Sequence, residues 1–116
     1  MTEETSAPQH ALLERVADVA TYMKLLSNEG RLAILCWLQE GSLTVGELEQ
    51  LLGEKQSTVS QQLGRLRREG LVEATRQGPT MHYRISDPRL QIIMNALHEA
   101  FFADLQVTDT GHVQGG

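Results

Sequence analysis

Apolar residues recur along this chain in spacings that mark out its elements. Between His10 and Leu26 they fall at Leu12, Val16, Val19, Met23 and Leu26, the three-to-four spacing of one helix face. Ser27-Asn28 interrupts the pattern and supplies a cap, with Glu29 in the first turn of a second helix. That helix, to about Gln39, contains the unbroken apolar run Leu32 to Leu38, which belongs in the centre of a core or at an interface. Thr44-Val-Gly-Glu47 has the form of a capping box and predicts a short helix from about Val45 to Leu52, ended by Gly53. The next helix starts between Lys55 and Ser57, with Ser57 as its cap. It holds Val59, Leu63 and Leu66 on one side and stops at Glu69-Gly70. Leu71 to Arg76 and Met81 to Ile85 read as strands on either side of the turn Gln77-Gly-Pro-Thr80. Asp87-Pro88 opens a last helix, with Asp at the cap and Pro in the first turn. Leu90, Ile93, Met94, Leu97, Phe101 and Leu105 form one stripe of it; Ile92, Ala96, Ala100 and Ala103 form a second, smaller-residue side.

The order is therefore four helices, two strands and a helix: mainly α with a small β-hairpin. Two short helices across a Gly-containing break make a helix-turn-helix, and the hairpin after it makes a winged helix-turn-helix. A chain of 116 residues is one domain by length. We place that domain at 10–105, after an acidic, polar arm at 1–9 expected to be disordered and before a flexible polar tail at 106–116. A last helix apolar on two sides needs two partners, its own domain and most simply the same helix of a second subunit.

The polar side of the fourth helix carries the candidate chemistry. Ser57, Thr58, Ser60, Gln61 and Gln62 are unusual where a merely soluble helix would carry Glu and Lys. They suit a surface that offers both donors and acceptors, such as base edges in the major groove of DNA, which admits an α-helix. Lys55 and Arg65 are placed to hold phosphates; Arg76, His82 and Arg84 on the hairpin are placed to touch the DNA backbone or minor groove. The net charge of −5 argues against this, but the charge is divided. Residues 55–84 carry six cations (Lys55, Arg65, Arg67, Arg68, Arg76, Arg84) against Glu69 and Glu73, a local +4 that leaves −9 for the remainder. Screening over about 8 Å at physiological salt makes the local charge the relevant one.

The segments LLSNEGRLAILCWL, LTVGELEQLLGEKQSTVSQQLGRLRREGLV and RQGPTMHYRISDP resemble the ArsR/SmtB family of small bacterial winged-helix repressors over about Leu12 to Leu105. The most specific part is Ser57 to Val72, and Gln62 stands where the family usually has His. The resemblance implies a homodimer through the first and last helices, binding double-stranded DNA at an inverted repeat. It also directs attention to ligands. The family's metal site on the last helix begins D-x-H, but here Asp87 is followed by Pro88 and Arg89. The thiolate site near the third helix needs a Cys that Glu47 to Leu51 lacks. His10, His82, His98 and His112 form no evident ligand set, so no metal or other cofactor is expected.

Cys36, in Arg31-Leu-Ala-Ile-Leu-Cys36, resembles the sulfide- and oxidant-responsive branch of that family. Those members pair this residue with a second Cys near the end of the last helix. This chain has one Cys and places Phe101 and Phe102 there, so a two-cysteine switch is excluded. Two readings stay open: a one-thiol sensor acting through sulfenic acid, persulfide or a mixed disulfide, and a buried thiol acting as a small hydrophobe.

No run of 18 apolar residues suggests a membrane span. MTEETSAPQH has neither the basic nor the apolar region of a signal peptide, so a cytoplasmic protein is expected. No Ser-His-Asp set, acid pair or phosphate loop points to an enzyme. The alternatives to a DNA-binding repressor are a winged helix used for protein contact, and an ArsR-type repressor with a non-metal ligand or no inducer.

Overall fold

In the computed structural model the described residues are Thr2–Leu105, with side chains from Pro8 onward. Among them five α-helices and three strands follow in the order α1 (Thr2–Leu26), α2 (Glu29–Leu38), β1 (Leu43–Thr44), α3 (Val45–Leu52), α4 (Gln56–Arg68), β2 (Val72–Gln77), β3 (Thr80–Ile85) and α5 (Pro88–Leu97). The expected tail at 106–116 lies outside the described residues. The chain divides into two compact units, Met1–Leu32 and Ala33–Gly116.

In the first unit, α1 begins at Thr2 rather than at His10 and accommodates Pro8 within it. Glu3, Glu4, Ala7 and Gln9 are all helix formers, and a Pro costs one backbone bond there. Of the expected apolar stripe, Leu26 is buried, whereas Leu12, Val16, Val19 and Met23 are exposed. The side chain of Asn28 accepts the Arg31 amide at 2.9 Å, the cap expected for α2. Arg31 is buried and its Nη1 donates to the Leu25 carbonyl at 2.7 Å.

The core of the second unit is built from every element around the helix-turn-helix. Ile34, Leu35 and Leu38 of α2, Leu48 of α3, Val59, Leu63 and Leu66 of α4, Leu71 and Val72, and Leu90 and Met94 of α5 are all 2% exposed or less. Burying one such side chain is worth about 1.5–3 kcal/mol, so the orientation of α4 is fixed mainly by its three apolar residues. The start of α3 and the end of α4 are fixed by local bonds. Thr44 caps α3 in a complete capping box: its hydroxyl accepts the Glu47 amide at 3.1 Å, and the Glu47 carboxylate accepts the Thr44 amide at 2.8 Å. Gly70, at φ 76°, turns the chain out of α4. The Gly70 amide reaches the Arg67 carbonyl at 3.0 Å and the Leu71 amide the Leu66 carbonyl at 3.0 Å, the paired bonds of a Schellman ending. Lys55, not Ser57, is the cap residue of α4, and no side chain caps it; Ser57 instead lies within the first turn.

The sheet has three antiparallel strands in the order β1-β3-β2, one more than expected. β1 is only two residues, too short to show alternation. It pairs Leu43 with Tyr83 and Thr44 with His82, so Thr44 joins the wing to the start of α3. At the base of the hairpin the Ser86 amide bonds the Leu71 carbonyl at 3.0 Å.

α5 is tied to the end of α2 by neutral amides. The Gln39 Nε2 donates to Asn95 Oδ1 at 2.9 Å, and Gln91 Nε2 donates to that same oxygen at 2.9 Å and to the Gln39 carbonyl at 3.1 Å. Asp87 caps α5, accepting the Arg89 amide at 3.0 Å, with Pro88 next to it. The helix does not continue regularly to Leu105. A wide π-helical turn at His98–Phe102 and a tight turn at Ala103–Leu105 complete it. The widened turn shifts the phase of the expected stripe, so Phe101 and Leu105 are exposed while Phe102 is half-buried. Ile92, on the second side, is also exposed.

Removing the capping hydroxyl by Thr44→Ala is expected to lower stability by about 1 kcal/mol. Urea unfolding should show it as a lower midpoint at unchanged slope.

Candidate nucleic-acid interface

With about 100° between successive residues of a helix, the buried stripe Val59, Leu63 and Leu66 leaves Ser57, Gln61, Gly64 and Arg68 on the opposite side of α4. Ser57, Gln61 and Arg68 are exposed. Thr58 and Arg65, both exposed, form one flank. Arg67, exposed, and Ser60, half-buried, form the other. Gln56 Nε2 donates to Ser60 Oγ at 3.4 Å, which turns that hydroxyl toward the helix start. Gln62 lies beside the buried stripe and is half-buried, so it is further from the outer side than Gln61. Sequence reading gave the two glutamines equal standing; the helix phase separates them. Arg68, counted in the sequence among the basic residues of this segment, joins Ser57 and Gln61 on the outward side.

The cations are not all equally free to meet phosphate. Arg65 Nε stands 3.9 Å from the Glu69 carboxylate one turn on. Glu73 and Arg84 face each other across the hairpin, and the Arg84 guanidinium bonds the Glu73 carboxylate through Nε and Nη2. Both pairs are largely solvent-exposed, where such pairs contribute about 0–1 kcal/mol. Phosphate can displace the carboxylates at little cost. Lys55, Arg67, Arg68 and Arg76 are exposed cations.

The hairpin divides the expected wing residues. The pairs Glu73–Arg84, Thr75–His82 and Gln77–Thr80 alternate with Val72–Ile85, Ala74–Tyr83 and Arg76–Met81. Successive side chains point to opposite faces, so His82 and Arg84 share the polar face while Arg76 projects from the other, beyond its apolar part. Near the tip, the Thr80 hydroxyl donates to the Gln77 carbonyl at 3.0 Å and lies 3.2 Å from His82 Nε2. The wing thus presents Arg76 and the His82–Arg84 pair to two sides, not as one cluster.

Residues 28–74, from the start of α2 into β2, match the model of the bacterial regulatory proteins of the arsR family. The chain is 43% identical over 90 residues to the biofilm growth-associated repressor of Xylella fastidiosa, covering 78% of this chain and 79% of that protein. This chain belongs to the ArsR family. It is a DNA-binding transcriptional regulator with a winged-helix fold. The transcriptional activator HlyU of Vibrio cholerae is 38% identical over 85 residues, 73% of this chain and 79% of its own length. The crystal structure of the transcriptional repressor BigR from Xylella fastidiosa superimposes with a TM-score of 0.76 at 41% identity, covering 83% of this chain and 95% of that one. The ArsR chain has no helix among the described residues that is long and apolar enough to cross a membrane.

Cys36 lies on α2, half-buried and free. Burial pushes its thiol above the ordinary value by disfavouring the thiolate. The thiolate is the reactive form, so burial and protonation both slow it. Below the ordinary thiol range both folded and unfolded chains keep the proton, and the ionisation of Cys36 makes no contribution to stability. As pH rises through that range the unfolded chain ionises first, and stability falls.

Two outcomes are expected. An alkylating reagent near pH 8 should label Cys36 more slowly in the native protein than after denaturation; equal rates would show an accessible thiol. Arg65→Ala should weaken binding to all DNA sequences alike and make the salt slope shallower by about 1, read from binding isotherms over a salt series.

Proposed function

We propose that this regulator is a repressor that binds an inverted-repeat operator in cytosolic DNA as a homodimer. The observation that carries the reading is the division of α4: three apolar side chains seat it in the core and leave Ser57, Gln61 and Arg68 facing outward. Ser57 and Gln61, with Thr58 and Ser60 beside them, serve as base or phosphate contacts in the major groove. Gln62 contributes from the edge. Lys55 and Arg65 hold phosphates, and Arg76, His82 and Arg84 hold the backbone from the wing. A second copy supplies the other half-site, since a two-fold dimer and a palindromic operator share symmetry. The exposed apolar residues of α1 (Leu12, Val16, Val19, Met23) and, separately, those at Ile92, Phe101 and Leu105 support dimerisation, because an isolated chain would leave them in water.

A signal acting through Cys36 is a second reading. It is favoured by the position of this single thiol on the buried helix α2, where an added group would crowd the core at a cost of about 1–3 kcal/mol. On this reading a persulfide donor or oxidant releases DNA from the wild type and not from Cys36→Ser. The competing account is an inert thiol, with the regulator controlled by another ligand or by its abundance.

Selecting sequences from a random DNA pool should recover an inverted repeat. Against that operator, Gln61→Ala is expected to lose about 1–3 kcal/mol of discrimination; an unchanged ratio of operator to random affinity would remove Gln61 from the reading surface. Ile92→Glu should leave the protomer folded, because Ile92 is exposed in the single chain. By light scattering it should shift the dimer toward monomer, with operator binding falling in parallel. An intact dimer would place the interface elsewhere.

A further inference from the structure

Gly64 is the residue of α4 that the fold does not account for. It occupies the interior of a 13-residue helix, where glycine is destabilising relative to alanine because it loses more backbone freedom on folding. Its backbone is not in the left-handed region that would require glycine: among the described residues the glycines with positive φ are Gly41, Gly53, Gly70 and Gly78. Nor does packing require it. A Cβ built at Gly64 meets only Arg68 Nη1, at 3.7 Å, an ordinary contact with the far end of a flexible side chain on the same helix. Nothing in the chain would have to move to admit alanine.

Its place on the helix supplies the reason that the chain itself does not. Gly64 lies opposite the buried stripe, on the outward side with Ser57, Gln61 and Arg68, three residues beyond Gln61 and four before Arg68. We propose that Gly64 is the point of closest approach between α4 and the DNA duplex. The absent side chain lets the helix seat deeply enough for Ser57 and Gln61 to reach base edges. Arg68, whose guanidinium lies over Gly64 in the free protein, moves aside to a phosphate as the duplex arrives. A methyl group at residue 64 would hold the helix off the groove by about the thickness of one carbon. Hydrogen bonds weaken steeply beyond about 3.2 Å, so direct readout would suffer first. Phosphate attraction, which is long-ranged and tolerant of geometry, would suffer less. This rests on α4 being the reading helix, and it makes Gly64 a positioning residue for specificity.

The test compares wild type with Gly64→Ala and Gly64→Met, measuring melting temperature and affinity for the selected operator and for random DNA. Both substitutions suit a helix, so both proteins should melt a few degrees higher than wild type. Operator affinity should nevertheless fall about tenfold or more for Ala and further for Met, while affinity for random DNA changes less than about threefold. Stability and specificity would then move in opposite directions, which a purely structural role for Gly64 does not produce. Operator binding by Gly64→Ala equal to wild type would overturn the proposal, as would a lower melting temperature for Gly64→Ala, which would show that the fold itself needs the glycine. A separate double variant, Ser57→Ala with Gln61→Ala, distinguishes the two levels of failure. If it keeps full operator preference, α4 is not the reading helix and the proposal falls with that reading. If it loses preference while Gly64→Ala does not, only the role of Gly64 is lost.

Discussion

The seating of α4 on Val59, Leu63 and Leu66 is the constraint from which the rest of this molecule follows. A helix can turn about its own axis unless something forbids it, and three side chains at most 1% exposed forbid it. Each is about 1.5–3 kcal/mol from a partly exposed alternative. Rotation by one residue would bury a serine or a glutamine and expose a leucine. With the axis fixed, which polar groups face outward is no longer a matter of preference. Leu48 of α3 and Leu71 at the foot of the hairpin occupy the same core, so the helix-turn-helix and the wing are positioned by the atoms that orient α4.

Against this background the acidic composition is less surprising than a net charge of −5 suggests. An acidic body discourages loose association with the phosphate backbone everywhere except at the basic segment. Two of the arginines in that segment are held by neighbouring carboxylates, Arg65 by Glu69 and Arg84 by Glu73. Such pairs keep long side chains ordered without holding them tightly. They also reduce the local field seen by a random anion, so the basic surface is moderated as well as confined.

Much of the architecture was legible in the residues because it rests on local signals. The capping box at Thr44 and Glu47, the stop at Gly70, the start at Asp87-Pro88 and the hairpin turn at Gln77 to Thr80 each use side chains a few positions apart, and each is where it was expected. What the sequence concealed depends on distant partners or on phase. β1 is a strand only because Leu43 and Thr44 meet Tyr83 and His82 some forty residues later. The π-helical turn at His98–Phe102 takes more residues per turn than an α-helix, and counting by three and four from Leu97 therefore does not carry through to Leu105. On the candidate surface, the types of residue were readable and their directions were not. Gln61 and Gln62 are adjacent letters but lie on different sides of the helix, and Arg76 is separated from His82 and Arg84 by the thickness of the hairpin. Ser57 was misread as a cap because a serine one residue inside a helix start looks the same as one at it.

The amide junction among Gln39, Gln91 and Asn95 has a consequence for how such a protein responds to its surroundings. None of these groups ionises, so neither acidity nor dissolved ions weakens the join between α2 and α5 in the way they weaken contacts with phosphate. Hold on DNA and internal geometry thus answer to different variables. Rising salt would therefore act on the grip on phosphate and not directly on this junction.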